Sequence, residues 1–237
     1  ADSVNAYKDP VCPSKMDAII TFSFFIEFCK FEKMKIVYQN SFDKHTDVFV
    51  GEIESFEPSY LDQYQFQLEE GKGGIEQQAQ RFFVRQLLAD QLGISPAKIL
   101  KNGRIPYIQD FDRYFSLSHS GNKVAVVIGD NRVGVDIEVE TEKILRIKHK
   151  FVNDKEAGFI NEADIQAGAA IVWGAKESMF KLYQKGALSY LNHLQLEAFK
   201  NFNTDHFDCS INKDGLILCA GHHDKVDDYR LVSVWKI

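Results

Sequence analysis

The run of short β-like segments between residues 115 and 139 constrains the fold most. Segments 115–118, 123–128 and 133–139 are rich in β-branched and aromatic residues, and Gly and Asn turns separate them. Along the rest of the chain, strands and helices are mixed without a regular βαβ rhythm. This order favours an α+β fold with antiparallel sheets over a doubly wound parallel sheet.

The remaining elements follow from hydrophobic periodicity and turn residues. Apolar residues recur at helical spacing over 75–92, and Gly93 ends that helix. A second helix is predicted over 167–183, and 143–150 and a short segment capped by Asp154 are also predicted to be helical. Residues 56–75 are predicted to be a loop. Further strands are predicted at 36–41, 46–54, 206–211, 216–220 and 230–235.

Composition excludes several classes of protein. The 237 residues suffice for one large or two small domains, and 45% apolar with 26% charged residues is typical of a soluble globular chain. The net charge of -6 argues against a non-specific nucleic-acid binder. The apolar run at 19–26 is too short to span a membrane. Cysteines 12, 29, 209 and 219 match neither zinc nor disulfide spacing, which predicts reduced thiols in a cytoplasmic protein.

The segment before Met34 is predicted to be separate from the main domain. From Met34 onward the chain reads like an ordinary N-terminus whose apolar residues open a first strand. We therefore expect residues 1–33 to be an appendage, residues 34–130 the N-terminal half, and residues 131–237 the C-terminal half with any metal site. A chain beginning at Met34 should then fold by itself.

The sequence GVDIE at residues 134–138 is the most informative for chemistry. On a strand, Asp136 and Glu138 point to the same face, while Val135 and Ile137 pack on the other. Two neighbouring carboxylates repel unless a cation lies between them or one is protonated. Their oxygens suit Mg²⁺, which typically takes one or two protein carboxylates. The alternative is a solvated polar face of an edge strand.

A second acidic position lies on the predicted helix 167–183. Glu177 and Lys181 are four residues apart and share a helical face. They form either an ordinary i,i+4 ion pair or a third oxygen ligand beside a phosphate contact, with Lys176 adding positive charge nearby. The sequence alone leaves both interpretations open.

Two histidine-containing segments have alternative interpretations. His119 follows Ser116 and Ser118 at a strand end, where it could bind phosphate or form a Ser–His nucleophile pair, although Ser116 replaces the first Gly of a GxSxG elbow. The sequence GHHD at 221–224 is similar to a metal motif. We interpret it as a surface loop.

Five motifs together carry a family resemblance. The segments GRIP at 103–106, 115–121, GVDIE at 134–138, 151–156 and 173–181 follow the order and approximate spacing of the 4′-phosphopantetheinyl transferase superfamily. The segment WGAKESMFK at 173–181 matches the W-x-x-K-E-S/A-x-x-K signature throughout. The chain resembles the two-domain, surfactin-synthetase-activating class most over residues 100–185.

The resemblance implies a fold and a ligand set. It implies a pseudo-twofold monomer of two similar α+β halves, each an antiparallel sheet packed with helices, with coenzyme A bound between them. Asp136, Glu138 and Glu177 would hold Mg²⁺. The contacts to coenzyme A would come from Arg104, Ser118, His119, Lys176 and Lys181. Many relatives have a basic cluster for the 3′-phosphate, where this chain has Lys72, Arg81 and Arg85.

The implied reaction moves phosphopantetheine from coenzyme A to a serine of a carrier protein. Glu156 and Glu177 are the candidate proton acceptors, with Glu156 preferred if Glu177 binds the metal, and a metal-bound water is the alternative. A basic stretch with Arg146 and Lys148 is expected to dock an acidic carrier, or is a solvated helix face. No nucleic acid or membrane partner is expected. A catalytically silent relative and a Mg²⁺-dependent phosphohydrolase remain alternative functions.

Overall fold

The chain forms two antiparallel sheets, a small hairpin and helices. The computed structural model describes residues 33–42, 44–56, 74–158, 160, 162–197 and 205–237. Lys33–Ile237 form one compact unit. The strands among the described residues are β1 (Met34–Ser41), β2 (Thr46–Ile53), β3 (Ile99–Asn102), β4 (Ile105–Ile108), β5 (Tyr114–Ser120), β6 (Lys123–Gly129), β7 (Val133–Val139), β8 (Leu194–Leu196), β9 (His206–Asn212), β10 (Leu216–Val226) and β11 (Tyr229–Lys236).

Helices flank the two larger sheets. The α-helices of the described residues are α1 (Ile75–Leu92), α2 (Lys143–Ile147), α3 (Asp154–Ala157) and α4 (Ile165–Tyr183). Short 3₁₀ turns cover Pro96–Lys98, Lys148–Lys150 and Glu162–Asp164. Helix α1 ends where Gly93 adopts the left-handed conformation with φ of 63°, as its glycine predicted.

Each half of the chain contributes one large sheet. The first has the order β1-β2-β6-β5, and the second has the order β7-β11-β10-β9-β8. Every neighbouring pair within them is antiparallel. Strands β3 and β4 form a separate hairpin. The predicted α+β class with two sheet-containing halves is therefore confirmed.

The two large sheets share one hydrophobic core. Val50 and Val127 of the first sheet pack in the same buried cluster as Val135 and Leu231 of the second. On the outer faces, α1 contacts β2, β5 and β6, whereas α4 contacts β7 and β11. Because side chains alternate along a strand, β7 presents Val135 and Ile137 to the shared core and Asp136 to the opposite face.

Two local interpretations from the sequence are wrong. The cap of α3 is Asn153 rather than Asp154: the Asn153 side chain accepts from the Glu156 N–H, and the Glu156 side chain accepts from the Asn153 N–H. Residues 221–224 are not a surface loop. Strand β10 continues through them to Val226, and His222 and His223 are buried at 6% and 4% exposure.

Several predictions fall outside the described residues. They concern the appendage up to residue 32, the apolar run at 19–26, two of the cysteines, and most of the loop at 56–75 with Lys72. The other two cysteines, Cys209 and Cys219, are buried free thiols. Among the described helices, none has the length and apolar character needed to cross a lipid bilayer.

Candidate active site

Strand β7 and helix α4 are brought together by Gly134. A Cβ atom at Gly134 would lie 1.9 Å from the backbone oxygen of Ser178, so no other residue fits there without moving the strand. Ser178 directly follows Glu177 on α4. The glycine of GVDIE thus lets the strand that carries Asp136 and Glu138 approach the helix that carries Glu177.

Asp136 is a buried carboxylate with one satisfied oxygen. It is 4% exposed, and its Oδ1 accepts hydrogen bonds from Lys181 Nζ at 2.8 Å and Ser118 Oγ at 3.1 Å. Its Oδ2 is buried and has no hydrogen-bond donor. A buried carboxylate oxygen without a donor is costly, so this atom is a natural position for a cation.

Glu138 and Glu177 lie within the electrostatic field of Asp136. Partial burial, and then the charge of Asp136, raise the pKa of Glu138 to about 7, against a hydrogen bond from Ser120 Oγ at 2.9 Å. Burial followed by Asp136 also raises the pKa of Glu177 above its ordinary value, while a hydrogen bond from Tyr190 opposes this. The three carboxylates on two elements therefore destabilise one another's charges, as sites built for a cation do.

The donor set fits a hard divalent cation, though it is not a closed metal cage. The buried free oxygen of Asp136 and the two carboxylates with raised pKa values are the oxygen ligands that Mg²⁺ prefers. Among the described residues, no three His, Cys, Asp or Glu side chains already form a metal cluster. A cation with few protein ligands and several waters is compatible with both observations.

Lys181 supplies positive charge at this site. Its ammonium donates to Ser118 Oγ at 2.9 Å, to the Val135 carbonyl at 2.9 Å and to Asp136 Oδ1 at 2.8 Å. The side chain is 27% exposed, so the charge is accessible from solvent. The ion-pair partner of Lys181 is therefore Asp136 of β7, whereas the helical spacing had offered Glu177, four residues earlier on α4.

His119 lies in a cluster of positive charge. Burial lowers its pKa, and Lys181, Arg81 and Arg85 lower it further by electrostatic repulsion. Arg81 and Arg85 are one turn apart on α1, and the Arg85 guanidinium donates to the Arg81 carbonyl at 2.9 Å. Four cationic or protonatable side chains from α1, β5 and α4 therefore act on the same region, which suits a phosphate group.

The sequence placed Arg81 and Arg85 where many relatives bind the 3′-phosphate, but they were not among the expected contacts to coenzyme A. They are an i,i+4 pair on α1, and this spacing was the available signal. Arg104 lies at the exposed turn between β3 and β4. The charges that act on His119 come from Lys181, Arg81 and Arg85. The assignment of Arg104 to coenzyme A remains a prediction.

Ser118 joins two strands rather than acting as a nucleophile. Its hydroxyl oxygen accepts from the Ile137 N–H at 3.2 Å and donates to Asp136, and Ser116 Oγ accepts from the Val135 N–H at 3.2 Å. Ser118 is 6% exposed. Its hydroxyl is therefore engaged in holding β5 against β7, which argues against both the Ser–His nucleophile and a direct contact to coenzyme A.

Lys176 and Glu156, for which the sequence predicted a phosphate contact and proton transfer, form an enclosed ion pair. Both are 0% exposed, and Lys176 Nζ donates to Glu156 Oε2, the Phe151 carbonyl and the Tyr190 carbonyl, each at 2.7 Å. An ammonium has three N–H groups, and all three are used. Glu156 Oε1 accepts from the Leu196 N–H at 3.1 Å. This enclosure favours a structural role for both residues over a phosphate contact by Lys176 or proton transfer by Glu156.

Part of the chain that includes these residues is similar to a known protein family. Residues 132–232 match the family model described as the 4′-phosphopantetheinyl transferase superfamily, a span that includes Asp136, Glu138, Glu177 and Lys181. The resemblance to this superfamily that the sequence motifs indicated is therefore confirmed over residues 132–232.

A curated relative supports the same assignment. The 4′-phosphopantetheinyl transferase gsp of Aneurinibacillus migulanus is 29% identical over 119 residues, which are 48% of this chain and 50% of the relative. The aligned part thus spans about half the length of that relative. The two sheet-containing halves are consistent with the two-domain class.

Proposed function

We propose that this protein transfers 4′-phosphopantetheine from coenzyme A to a serine hydroxyl of an apo carrier protein in a Mg²⁺-dependent reaction. The observation that supports the proposal is the buried Asp136 oxygen without a donor, together with the charge of Asp136 acting on both Glu138 and Glu177. The superfamily match over the same residues supports the reaction type.

Asp136, Glu138 and Glu177 would hold Mg²⁺. When bound, the ion supplies neutralising charge for a diphosphate group. The Lys181 ammonium, whose three N–H groups already have protein acceptors, would supply positive charge beside the phosphates of coenzyme A, and His119, Arg81 and Arg85 would contact them. Phosphoryl transfer depends mainly on such charge neutralisation and alignment.

Glu177 is the better candidate for the proton acceptor. Unlike Glu156 it is only partly buried, so its carboxylate could reach a substrate hydroxyl in a site where Asp136 and Glu138 hold the cation. It would accept the proton of the carrier serine as the serine oxygen attacks the phosphorus. The same attack expels 3′,5′-adenosine bisphosphate, so the atoms of the two substrates balance.

The expected carrier surface lies next to this site in sequence. Arg146 is exposed on α2, and Lys148, His149 and Lys150 follow in the 3₁₀ turn. Lys155 pairs with Glu197 at 2.7 Å. We propose that Arg146 and Lys148 attract an acidic carrier, so that Arg146→Glu with Lys148→Glu should raise the KM for carrier without changing the KM for coenzyme A. Equal changes in both constants would contradict this.

Incubation with coenzyme A, Mg²⁺ and an apo carrier protein tests the function. Mass spectrometry should show a carrier that has gained one phosphopantetheine group. Glu177→Ala should abolish this gain, whereas His222→Ala, a change in the buried part of β10, should not. Binding of coenzyme A without transfer would instead indicate a catalytically silent relative. Cleavage of coenzyme A with no acceptor present would indicate a phosphohydrolase.

Other features stay predictions from the sequence. They are the cytoplasmic location, the monomeric state, the boundary between halves near residue 130, and the separate appendage at 1–33.

A further inference from the structure

Tyr190, which lies outside the recognised motifs, contacts four residues on one face of α4. Tyr190 lies in the turn between α4 and β8 and is half-buried. Its ring stacks on Trp173 with centroids 5.7 Å apart and on Phe180 with centroids 6.0 Å apart. Its hydroxyl donates to Glu177 Oε1 at 2.9 Å, and its carbonyl accepts from Lys176 Nζ at 2.7 Å.

The four partners of Tyr190 have helical spacing. Trp173, Lys176, Glu177 and Phe180 are positions i, i+3, i+4 and i+7 of α4, which form one face of the helix. Three of these four are the Trp, Lys and Glu of the W-x-x-K-E segment. In this chain, three residues of the motif therefore contact the same tyrosine.

The backbone of Tyr190 is anchored by the buried ion pair. The same enclosed Lys176 ammonium also donates to Glu156 and to the Phe151 carbonyl. A charged donor held by three short hydrogen bonds leaves little freedom to any of its acceptors. The buried Lys176–Glu156 pair therefore fixes the turn from which the Tyr190 side chain reaches the active site.

The hydroxyl of Tyr190 restricts the Glu177 carboxylate. Glu177 has three side-chain torsions, and a solvent-facing carboxylate would sample several positions. A hydrogen bond to Oε1 from a ring held between two aromatic neighbours selects one position and occupies one oxygen. The other oxygen is left for a ligand.

We infer that Tyr190 is a positioning residue that holds Glu177 in the geometry needed for cation binding and transfer. This inference rests on the proposed function, because it gives Glu177 the role stated there. Groups that orient the ligands of a metal typically contribute 10–100-fold to metal affinity or activity. The contacts of Tyr190 have the form expected of such a group.

The test is Tyr190→Phe, which removes the hydroxyl and retains the stacking ring. The probe is Mn²⁺ in the presence of coenzyme A, with bound Mn²⁺ measured by electron paramagnetic resonance. We expect affinity for Mn²⁺ to fall about 10–100-fold, as for other orienting groups. In the transfer assay, kcat should fall while the KM for coenzyme A stays near the wild-type value. Thermal unfolding checks that the variant is folded.

Tyr183→Phe is the matched control. The Tyr183 hydroxyl also donates to a carboxylate, but this is Asp214 in the turn between β9 and β10, which is not one of the three acidic site residues. Its loss should leave Mn²⁺ binding unchanged. If Tyr190→Phe does not fold, Tyr190→His, which keeps an aromatic ring and a donor, replaces it and should retain Mn²⁺ binding better than Tyr190→Leu.

A double-mutant cycle separates this inference from the proposed function. In a Glu177→Gln background, Tyr190→Phe should cause no further loss of Mn²⁺ affinity. If Glu177→Gln loses Mn²⁺ and transfer but Tyr190→Phe retains both, the positioning role is wrong and the proposed function stands. If the wild type binds Mn²⁺ and Tyr190→Phe weakens that binding, yet the wild type transfers nothing, the proposed function is wrong and only the role of Tyr190 in cation binding stands. Absence of bound Mn²⁺ in the wild type would overturn both.

Discussion

Helix α4 carries two lysines, five residues apart, that have nearly identical contacts and opposite roles. Lys176 and Lys181 each donate three hydrogen bonds, and one of the three goes to a carboxylate at 2.7 Å or 2.8 Å. The difference lies in the carboxylate. Glu156 is enclosed and accepts from two backbone N–H groups as well, whereas Asp136 has an oxygen without a donor and two further carboxylates nearby.

The contrast between these lysines distinguishes a structural ion pair from a functional one. An ion pair whose donors and acceptors are all hydrogen-bonded within the protein has no free group to bind a ligand. A pair with an unsatisfied oxygen and an excess of negative charge retains the capacity to bind a cation. The number of hydrogen bonds that the lysine donates does not decide its role, because both ammonium groups donate three.

The largest expected effect is on the stability of the Lys176 pair. Glu156→Gln leaves a buried ammonium without a counter-charge, which should lower the free energy of unfolding by about 3–5 kcal/mol. Burial already lowers the pKa of Lys176, and Glu156 opposes this. The loss should therefore be greater at pH 6 than at pH 9, where the unpaired lysine can release its proton.

Urea unfolding at the two pH values measures this loss. The transfer rate per folded molecule should remain close to that of the wild type. A variant with normal stability and no transfer would restore Glu156 to the catalytic role that the sequence suggested.

Loss of Lys181 should instead affect activity. Lys181→Met removes one cation from the phosphate region, and we expect transfer to fall about 100-fold, the size typical of a preorganised electrostatic contact. Lys176→Met is the matched variant on the same helix. Mg²⁺ should raise the melting temperature of Lys181→Met, because a cation can still neutralise Asp136. It should not rescue Lys176→Met, whose partner Glu156 is sealed from solvent.

If both variants respond equally to Mg²⁺, the contrast between the two lysines is wrong. Thermal unfolding with and without Mg²⁺ decides this independently of the transfer assay.

The sequence predicted the surroundings of Lys181 better than those of Lys176. Alternation along residues 133–139 placed Asp136 and Glu138 on one face, and helical spacing placed Glu177 beside Lys181, because both patterns are local. Lys176 contacts carbonyl oxygens of Phe151 and Tyr190. Every residue has a carbonyl, so side-chain identity carries no signal for such partners.

Contacts that local sequence does not encode also explain why the cap of α3 and the extent of β10 were predicted wrongly. The role of Glu156 follows from a capping box with Asn153, in which the neighbouring Asp154 was an equally plausible cap by residue type. The buried state of His222 and His223 depends on how far β10 is paired, with β11 on one side and β9 on the other. Tertiary pairing, rather than local pattern, decides where that strand ends.

A smaller effect is expected when a side-chain atom is added at the close contact between β7 and α4. Gly134→Ala would place a Cβ atom 1.9 Å from the Ser178 oxygen, and overpacking of this kind costs about 1–3 kcal/mol. The strand must move away from the helix, which separates Asp136 and the Val135 carbonyl from Lys181. We therefore expect reduced transfer together with the loss of stability.

Gly158→Ala is the control near the Lys176 pair. Gly158 follows α3, and its added Cβ would meet the Lys155 carbonyl at 3.4 Å, an ordinary contact. Unfolding and transfer measurements should show little change. Equal effects of the two alanine substitutions would mean that the close approach at Gly134 has no special importance.

The smallest expected effect is the pH dependence of the metal-free protein. The pKa of Glu138 is raised from 4.5 to about 7. A carboxyl group with a raised pKa contributes stability that is present in full below pH 4.5 and is lost as the pH rises through about 7. Because Glu138 is only partly shielded from solvent, screening should limit this contribution to less than about 1 kcal/mol.

The free energy of unfolding, measured in EDTA between pH 5 and 8, tests this prediction. The variant is Glu138→Gln, and the control is Glu142→Gln, a change at an exposed glutamate shortly after β7. Glu138→Gln should reduce the pH dependence of the free energy of unfolding, and Glu142→Gln should not. Mg²⁺ in excess over the EDTA should restore the stability of the wild type at pH 8. At pH 8 the cation relieves the same repulsion between carboxylates that a proton relieves at pH 5. A profile unaffected by both Mg²⁺ and Glu138→Gln would show that negative charge is not in excess around Asp136, and the two lysines of α4 would then both be structural.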